Sequence, residues 1–205
     1  MTRRLRYQVA SSLDGFIATP NGGYDWIVMD PAIDFKALYG EFDTAVMGRK
    51  TYDVGKAQGA SFAMPGIEVI VFSRSLEAAK HKGFRIVNDD PAEVVRTLKV
   101  KPGRDIWLFG GGELFRTLLD AGLVDTVELA VMPVLLGQGI PVLPPGALAT
   151  LVLSDVKRLT ASGIVVLAYS VSGSTGRPPR IRYVKAPRPT KAAPNAKRRT
   201  TSRKR

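Results

Sequence analysis

The sequence contains no cysteine and only one histidine among its 205 residues. Without cysteine the chain has no disulfide framework, no thiolate nucleophile and no cysteine-based metal site. The single histidine, His81, stands between Lys80 and Lys82 in a polar segment, and we interpret it as a surface residue. A zinc site and a Ser-His-Asp triad are therefore not expected, and the sequence predicts no bound metal.

Long apolar runs are also missing. No stretch approaches the roughly 18 residues that are needed to cross a bilayer, and residues 1–6 lead into a predicted strand without the apolar core of a signal peptide. We therefore expect a cytoplasmic protein that has no membrane partner. The hydrophobic content of 45% is sufficient for one domain with a sizeable core.

Acidic residues are absent from the C-terminal part of the chain. Residues 174–205 hold 12 Lys or Arg and no Asp or Glu, so residues 1–173 hold 18 basic and 18 acidic residues and are formally neutral. The tail is rich in proline and lacks apolar periodicity, which predicts disorder. We expect a folded domain over 1–173 and a disordered basic tail over 174–205. Such a tail can bind nucleic acid without sequence preference or merely keep the protein in solution, and we favour the second interpretation.

The most informative segment of the chain is residues 105–116. An apolar run at 106–109 predicts a buried strand, and the apolar pattern from Leu114 onward predicts a helix. Between them lie three glycines, Gly110, Gly111 and Gly112. Glycine lets a ligand lie against bare backbone, and the unpaired N–H groups of a first helical turn attract an anion. The segment predicts a phosphate or pyrophosphate site, and the alternative is that the glycines only allow strand and helix to pack closely.

Two other predicted strands, at 44–48 and 67–72, also end in residues that suit anions. The residues after these strands are Gly48, Arg49, Lys50 and Thr51 in the first case, and Ser73, Arg74 and Ser75 in the second. Ligands of open α/β sheets bind at the carboxyl ends of strands. Three such strand ends favour a dinucleotide with an additional phosphate, which indicates NADPH in preference to NADH.

Three residues between positions 12 and 35 are candidates for contact with a substrate. Asp30 and Pro31 predict the N-cap and first position of a helix. The apolar face of this helix would consist of Phe35, Leu38 and Phe42. Asp34 borders that face. Either it looks toward the sheet and is the candidate proton donor, or it is a solvated surface residue, which the spacing alone favours. Trp26 either closes over a ligand or anchors the core, and Asp14 either meets the substrate or shapes its own loop.

The order of elements predicts the fold class. Strands and helices alternate along the chain, and a closing hairpin pairs residues 151–159 with residues 164–172. We therefore predict an α/β protein with a mixed, mainly parallel sheet flanked by helices and with a C-terminal antiparallel hairpin.

As a set, five motifs resemble the dihydrofolate reductase superfamily over about residues 5–172. They are most similar to the reductase (C-terminal) domain of the bifunctional riboflavin-biosynthesis deaminase-reductase. The motifs are Ser-Leu-Asp-Gly-Phe-Ile-Ala at 12–18, Met-Gly-Arg-Lys-Thr-Tyr at 47–52, Phe-Ser-Arg at 72–74, Phe-Gly-Gly-Gly-Glu-Leu at 109–114, and Gly-Leu-Val-Asp at 122–125 followed by Pro-Val-Leu-Leu-Gly-Gln-Gly at 133–139.

The resemblance implies an NADPH-dependent reductase with a dihydrofolate reductase-like fold. In this family the glycine turn meets the cofactor pyrophosphate, and the turns after the other two strands hold the adenosine side and its 2′-phosphate. These roles would fall to Gly110, Gly111, Gly112, Glu113 and Leu114 for the pyrophosphate, and to Gly48, Arg49, Lys50, Thr51, Ser73 and Arg74 for the adenosine side. Ala10 and Ile17 would lie beside the nicotinamide, and the Gly110–Gly111 peptide bond would be cis.

The resemblance also implies where a substrate binds, namely between the loop at 13–18 and the helix that carries Asp34. The expected reaction is direct hydride transfer to a pterin-like or ribosylaminopyrimidine-like heterocycle, with Asp34 or water as the proton source. Asp14, Trp26 and Asp34 are the expected substrate contacts. A homodimer is common among the closer relatives, although no feature of the sequence itself indicates one.

Two positions depart from the riboflavin reductases. Where that family carries a glutamate before the glycines and a lysine in the first strand, this chain has Phe109 and Gln8. No deaminase domain with His and Cys zinc ligands is recognised either. The motifs that would bind the cofactor are intact, whereas two positions concerned with the substrate are altered. The sequence therefore does not predict the exact substrate. The rival from another class is a nucleic-acid-associated protein that acts through its basic tail, and plain dihydrofolate reduction is a third alternative.

Overall fold

The computed structural model of the protein describes residues 2–59, 62 and 64–173. These residues form β-strands and α-helices that alternate over most of the chain. In chain order the elements are β1 (Leu5–Ser11), β2 (Phe16–Ala18), α1 (Phe35–Tyr39), β3 (Phe42–Gly48), α2 (Arg49–Ala57), β4 (Glu68–Phe72), a short 3-10 helix (Ala78–Lys80), β5 (Arg85–Val87), α3 (Pro91–Val100), β6 (Asp105–Gly110), α4 (Gly112–Asp120), β7 (Thr126–Val131), β8 (Ile140–Pro141), β9 (Leu151–Arg158) and β10 (Val165–Val171).

The main sheet has eight strands in the order β5-β4-β3-β6-β1-β7-β10-β9. The first six strands in this order run parallel to one another. β10 is antiparallel to β7, and β9 is antiparallel to β10. Parallel neighbours need crossover connections, which α2, α3 and α4 supply. The predicted mixed, mainly parallel sheet with a C-terminal antiparallel hairpin is therefore confirmed.

A second, two-stranded sheet pairs β2 with β8 in antiparallel orientation. We call it the β2–β8 ribbon. Gly139, just before β8, packs against the carbonyl oxygen of Ala18 in β2. On its other side the ribbon meets α4, because a Cβ placed on Gly112 would lie 2.9 Å from the carbonyl oxygen of Pro141. The ribbon therefore contacts both the loop after β1 and the helix that follows the glycine turn.

The main sheet carries a core on each face, because successive side chains of a strand point to opposite faces. On one face Tyr7 of β1 stacks on Phe115 of α4, with ring centroids 3.8 Å apart. On the other face Trp107 of β6 packs against Phe42 of β3, with ring centroids 5.3 Å apart, and Tyr52 of α2 joins the same cluster. Burial of one large apolar side chain contributes about 1.5–3 kcal/mol. These clusters hold α4 and α2 on opposite faces of the sheet.

A buried charge network crosses the second of these faces beside β1. Arg6 donates to both carboxylate oxygens of Glu128 on β7, at 2.8 and 2.7 Å, and it also pairs with Glu41. Burial alone would lower the pKa of Arg6, but its hydrogen bonds to Glu128 and Glu41 outweigh burial and raise this pKa above its ordinary value. The Thr126 hydroxyl donates to Glu128 at 2.8 Å. The bidentate pair ties β1 to β7 and fixes the Glu128 carboxylate in place.

The first helix differs from the sequence prediction. α1 begins one residue after Asp34, which caps it by accepting a hydrogen bond from the N–H of Ala37 at 2.9 Å. Asp30 is buried. Its Oδ1 accepts a hydrogen bond from the N–H of Ala32 at 2.8 Å, and its Oδ2 accepts hydrogen bonds from the N–H and hydroxyl of Ser162, at 3.0 and 2.6 Å. Phe42, predicted on the helix face, belongs to β3. The N-cap prediction for Asp30 is wrong because a partner 132 residues away satisfies its carboxylate.

The predicted tail, residues 174–205, lies outside the described residues. Within the part of the chain that the structure describes, no helix is long and apolar enough to cross a membrane. The same residues contain no group of three or more Asp, Glu or His side chains that could hold a metal ion.

Candidate active site

A cleft of about 1250 Å³ opens where β3, β4 and β6 end. Carboxyl ends of parallel strands are where open α/β sheets bind their ligands. Every residue predicted to contact the cofactor lines this cleft: Ala10, Ile17, Gly48, Arg49, Lys50, Thr51, Ser73, Arg74, Gly110, Gly111, Gly112, Glu113 and Leu114. The three strand ends that the sequence singles out therefore belong to one site.

The glycine turn between β6 and α4 gives the cleft a stretch of bare backbone. The Gly110–Gly111 peptide bond is cis, as the resemblance implies. Gly110 has a φ of +141°, a conformation that L side chains rarely adopt, and a Cβ on Gly111 would lie 3.1 Å from the Thr51 hydroxyl oxygen. Gly112 is required for a different reason, because it packs against the β2–β8 ribbon. The structure thus gives Gly112 a packing role, and the phosphate-binding role of Gly110 and Gly111 stays a prediction.

Two helices begin at this cleft. α2 starts at Arg49 and α4 starts at Gly112, and no side chain caps the N-terminus of either helix. The first N–H groups of a helix have no partner within it, and the helix dipole favours an anion beside them. Lys50 Nζ and Glu113 Oε1 lie 2.9 Å apart and connect the two helix starts. Together the two N-termini can bind a pyrophosphate.

Two arginines bring positive charge to the side of the cleft near β4. Arg49 is already engaged, because its Nε donates to Asp53 at 2.9 Å and its guanidinium contacts the Ser75 hydroxyl. Arg74 is exposed and has no ion-pair partner among the described residues. The Ser73 hydroxyl oxygen accepts hydrogen bonds from two backbone N–H groups of the following turn, at 3.3 and 3.1 Å, and so holds that turn. Arg74 is therefore the cation that is available for a phosphate.

The loop after β2 lines one side of the cleft. Gly22 lies against the Val54 side chain of α2, and Gln58 Nε2 donates to the Gly22 carbonyl oxygen at 3.2 Å. Pro20 and Tyr24, on either side of Gly22, line the cleft as well. The loop is therefore fastened to α2.

Asp14, a predicted substrate contact, does not line the cleft. Its carboxylate accepts hydrogen bonds from the N–H groups of Leu136 and Gly137, at 3.1 and 2.7 Å. A hydrogen bond with Ser12, supported by these backbone bonds, lowers the pKa of Asp14 below its ordinary value. In the structure Asp14 joins its own loop to residues 136–137, which is the loop-shaping role considered from the sequence.

Trp26 and Asp34 also lie outside the lining of the cleft. Trp26 packs against a small core cluster that contains Met132 and Ile164, in agreement with the core-anchor alternative. Asp34 is half-buried and uses its carboxylate to cap α1. None of the three predicted substrate residues lines the cleft, and their roles in binding stay predictions.

The cleft also has an aromatic wall, which the charged and glycine motifs of the sequence do not indicate. It consists of Phe62, Trp107 and Phe109, which all line the cleft. The ring centroids of Trp107 and Phe109 are 5.0 Å apart, and those of Phe62 and Phe109 are 6.0 Å apart. Trp107 Nε1 also donates to the backbone carbonyl oxygen of Gln8, at 3.0 Å. The available signal was the period-two pattern of β6, which puts Trp107 and Phe109 on one face.

The mixed sheet, the cis glycine pair and the cleft at two helix starts define a protein of the dihydrofolate reductase-like class. The structure superposes on dihydrofolate reductase from Enterococcus faecalis, in a complex with NADP(H), with a TM-score of 0.59 and 16% identity, covering 84% of this chain and 99% of that one. A protein from Shewanella sp. PV-4, provisionally assigned to riboflavin biosynthesis, gives a TM-score of 0.71 and 23% identity with coverage of 84% and 99%. At these identities the likeness shows the fold.

The family follows from the sequence comparison. Residues 3–167 match the model of the RibD C-terminal domain, and the chain belongs to this family. The uncharacterized protein YyaP of Bacillus subtilis is 34% identical over 182 residues, which cover 83% of this chain and 96% of YyaP. The resemblance inferred from the five motifs is confirmed.

Proposed function

We propose that this protein is an NADPH-dependent reductase that transfers hydride to a pterin-like or ribosylaminopyrimidine-like heterocycle. The observation that carries the proposal is a cleft that combines two uncapped helix N-termini, an arginine available for a phosphate, and an aromatic wall. Membership of the RibD C-terminal domain family supports a reductase of the riboflavin pathway at the level of the family.

The residues that line the cleft fit NADPH. Gly110 and Gly111 leave backbone bare, and the first turns of α2 and α4 offer N–H donors to a pyrophosphate. Arg74 would hold the 2′-phosphate, since Arg49 is already engaged by Asp53. Ala10 and Ile17 would border the nicotinamide. When bound, NADPH supplies the hydride.

The chain itself would bind and orient the substrate. Trp107 and Phe109 offer apolar faces on which a planar ring can stack, and the loop over α2 limits the access of water. The lining carboxylates among the described residues are Asp89 and Glu113, and Glu113 is paired with Lys50 at the helix starts. We therefore propose water as the proton donor. Asp34 stays the predicted carboxylate alternative.

The experiment that tests this function is a titration of the full-length protein with NADPH and NADH, followed by nicotinamide fluorescence. We expect saturable binding of NADPH and roughly tenfold weaker binding of NADH. NADPH oxidation would then be screened with pterins, ribosylaminopyrimidines and dihydrofolate, the last because of the fold class. Failure to bind either nucleotide would contradict the proposal and leave the glycine turns with a packing role alone.

A further inference from the structure

Electric charge is distributed unevenly over the lining of the cleft. Its charged residues, within the part of the chain that the structure describes, are Arg49, Lys50, Arg74, Asp89 and Glu113. All five lie just after β3, β4 or β5 or in the first turn of α4, and Lys50 and Glu113 pair with each other there. The phosphates of the proposed nucleotide would occupy this side of the cleft. We call it the charged side.

The other side of the cleft, beside β1 and β6, has a mainly apolar lining. It is formed by Ile17, Tyr24, Ile27, Phe62, Trp107 and Phe109, which we call the uncharged half. Gln8 of β1 lines the same side and adds an amide but no charge. Three positions of this region lie outside the described residues, namely 60, 61 and 63, and the sequence has Ala, Ser and Ala there. The uncharged half therefore offers rings and alkyl groups to a ligand.

A glycine inside α2 supports the aromatic wall of this half. A Cβ on Gly55 would lie 2.3 Å from Cζ of Phe62, so the Phe62 ring packs directly on the backbone of the helix. Glycine is unfavourable inside a helix, and here it makes room for the ring. Phe62 meets Phe109 edge to face, at an interplanar angle of 79°. Phe109 is half-buried and lines the cleft, so part of its ring stays open to a ligand. Apolar surface exposed in a cleft is typical of ligand-binding sites.

A phosphate placed in the uncharged half would have no cation beside it among the described residues. Arg6 of β1 does not line the cleft, and its guanidinium is engaged by Glu128 and Glu41. Removal of an anion from water without a paired charge is strongly unfavourable, whereas an apolar ring gains free energy when it leaves water. The lining therefore discriminates by charge as well as by shape.

We infer that the hydride acceptor is an uncharged, planar and mainly apolar compound that carries no phosphate on its ring. The ring stacks on the aromatic wall while the phosphates of NADPH occupy the charged side. A phosphorylated compound with the same ring is rejected, because its anion enters the uncharged half without a partner. This inference rests on the proposed function, since it specifies the class of substrate for the same cleft.

The test compares 1-naphthol with 1-naphthyl phosphate, which share a planar ring and differ in the phosphate. Each is titrated by calorimetry into the full-length protein at neutral pH, with saturating NADPH to fill the charged side. We expect the wild type to bind 1-naphthol at least about tenfold more tightly than the phosphate. Phe109→Lys removes a ring and adds a cation, so it should weaken 1-naphthol binding about tenfold and reverse the preference. Leu135→Lys, at an exposed apolar residue outside the lining, is the matched control and should behave as the wild type.

Three results would overturn the inference: a wild type that binds the phosphate as tightly as 1-naphthol, a wild type that does not bind 1-naphthol, or a preference that Phe109→Lys leaves unchanged. The last would place the ring outside the uncharged half. The wild-type comparison needs no variant, so it decides even where thermal unfolding shows that Phe109→Lys does not fold. NADPH titration of the same samples without a probe separates the two proposals. Cofactor binding without a preference for 1-naphthol refutes only the substrate class, whereas a failure to bind NADPH refutes the proposed function.

Discussion

Replacement of Arg74 by alanine tests how the cleft distinguishes NADPH from NADH. The two nucleotides differ only in the 2′-phosphate, and Arg74 is exposed with no ion-pair partner among the described residues. A hydrogen bond to a charged group contributes about 1.5–3 kcal/mol when it is shielded from water. Exposure lowers this figure toward about 1–2 kcal/mol, which corresponds to roughly 5- to 30-fold in affinity. We expect Arg74→Ala to weaken NADPH binding by that factor and to leave NADH binding unchanged.

The assay is a fluorescence titration of wild type and variants with both nucleotides at two salt concentrations. Arg49→Ala should have a smaller effect on the NADPH preference, because Arg49 already pairs with Asp53. Arg96→Ala is the matched control, since it removes an exposed arginine of the same charge from α3, outside the cleft. Unchanged NADPH affinity in Arg74→Ala, or an equal loss for both nucleotides, would refute the assignment of the 2′-phosphate to Arg74.

The remaining predictions concern the buried charges, the proton source and the tail. Glu128→Gln deprives the buried Arg6 of its bidentate partner and should lower the free energy of unfolding by about 3 kcal/mol in urea denaturation, so a loss near zero would contradict the network. Asp34→Asn should leave turnover unchanged, whereas a large loss of kcat with intact NADPH binding would assign the proton to Asp34. A hydrogen bond from Ser162 lowers the pKa of Asp30, so Asp30 stabilises the fold above its ordinary pKa and ceases to do so as the pH falls through the lowered value. Ser162→Ala should therefore reduce the melting temperature more at neutral than at acidic pH, and a pH-independent reduction would argue against this link. Removal of residues 174–205 should abolish low-salt retention on a DNA column, because residues 1–173 are formally neutral, and retention of the shortened chain would exclude the tail as its cause.

The cofactor side of the cleft could be predicted because its signals are local. A strand that ends in a glycine and a helix start can be recognised within a few residues, and parallel strands bring such ends to one edge of a sheet. Gly48, Arg74 and Gly110 were found in this way, and all three line one cleft. The cis bond at Gly110 came from the family resemblance, since no local pattern indicates it.

The surroundings of the residues predicted to contact a substrate could not be foreseen in the same way, because their hydrogen-bond partners are distant in sequence. Asp30 and Asp34 both suit a helix N-cap, but in the structure Asp34 caps α1, whereas Asp30 binds the N–H of Ala32 and the distant Ser162. The family resemblance marks Gln8 as a departure, but only the structure shows that Glu128, from another strand, engages one end of its amide. Tertiary pairing of this kind leaves no trace in the periodicity of a single segment.

The β2–β8 ribbon has a consequence for the engineering of this protein. Strand β2 of the ribbon belongs to the loop expected beside the nicotinamide. Pro141 of strand β8 packs against Gly112 at the start of α4. Residues 133–139 set the position of the ribbon, and Asp14 fastens them to the loop. An insertion or deletion in residues 133–139 would displace both ends of the proposed dinucleotide site together. Substrate preference is therefore better redesigned from β1 and β6 than by exchange of this connecting segment.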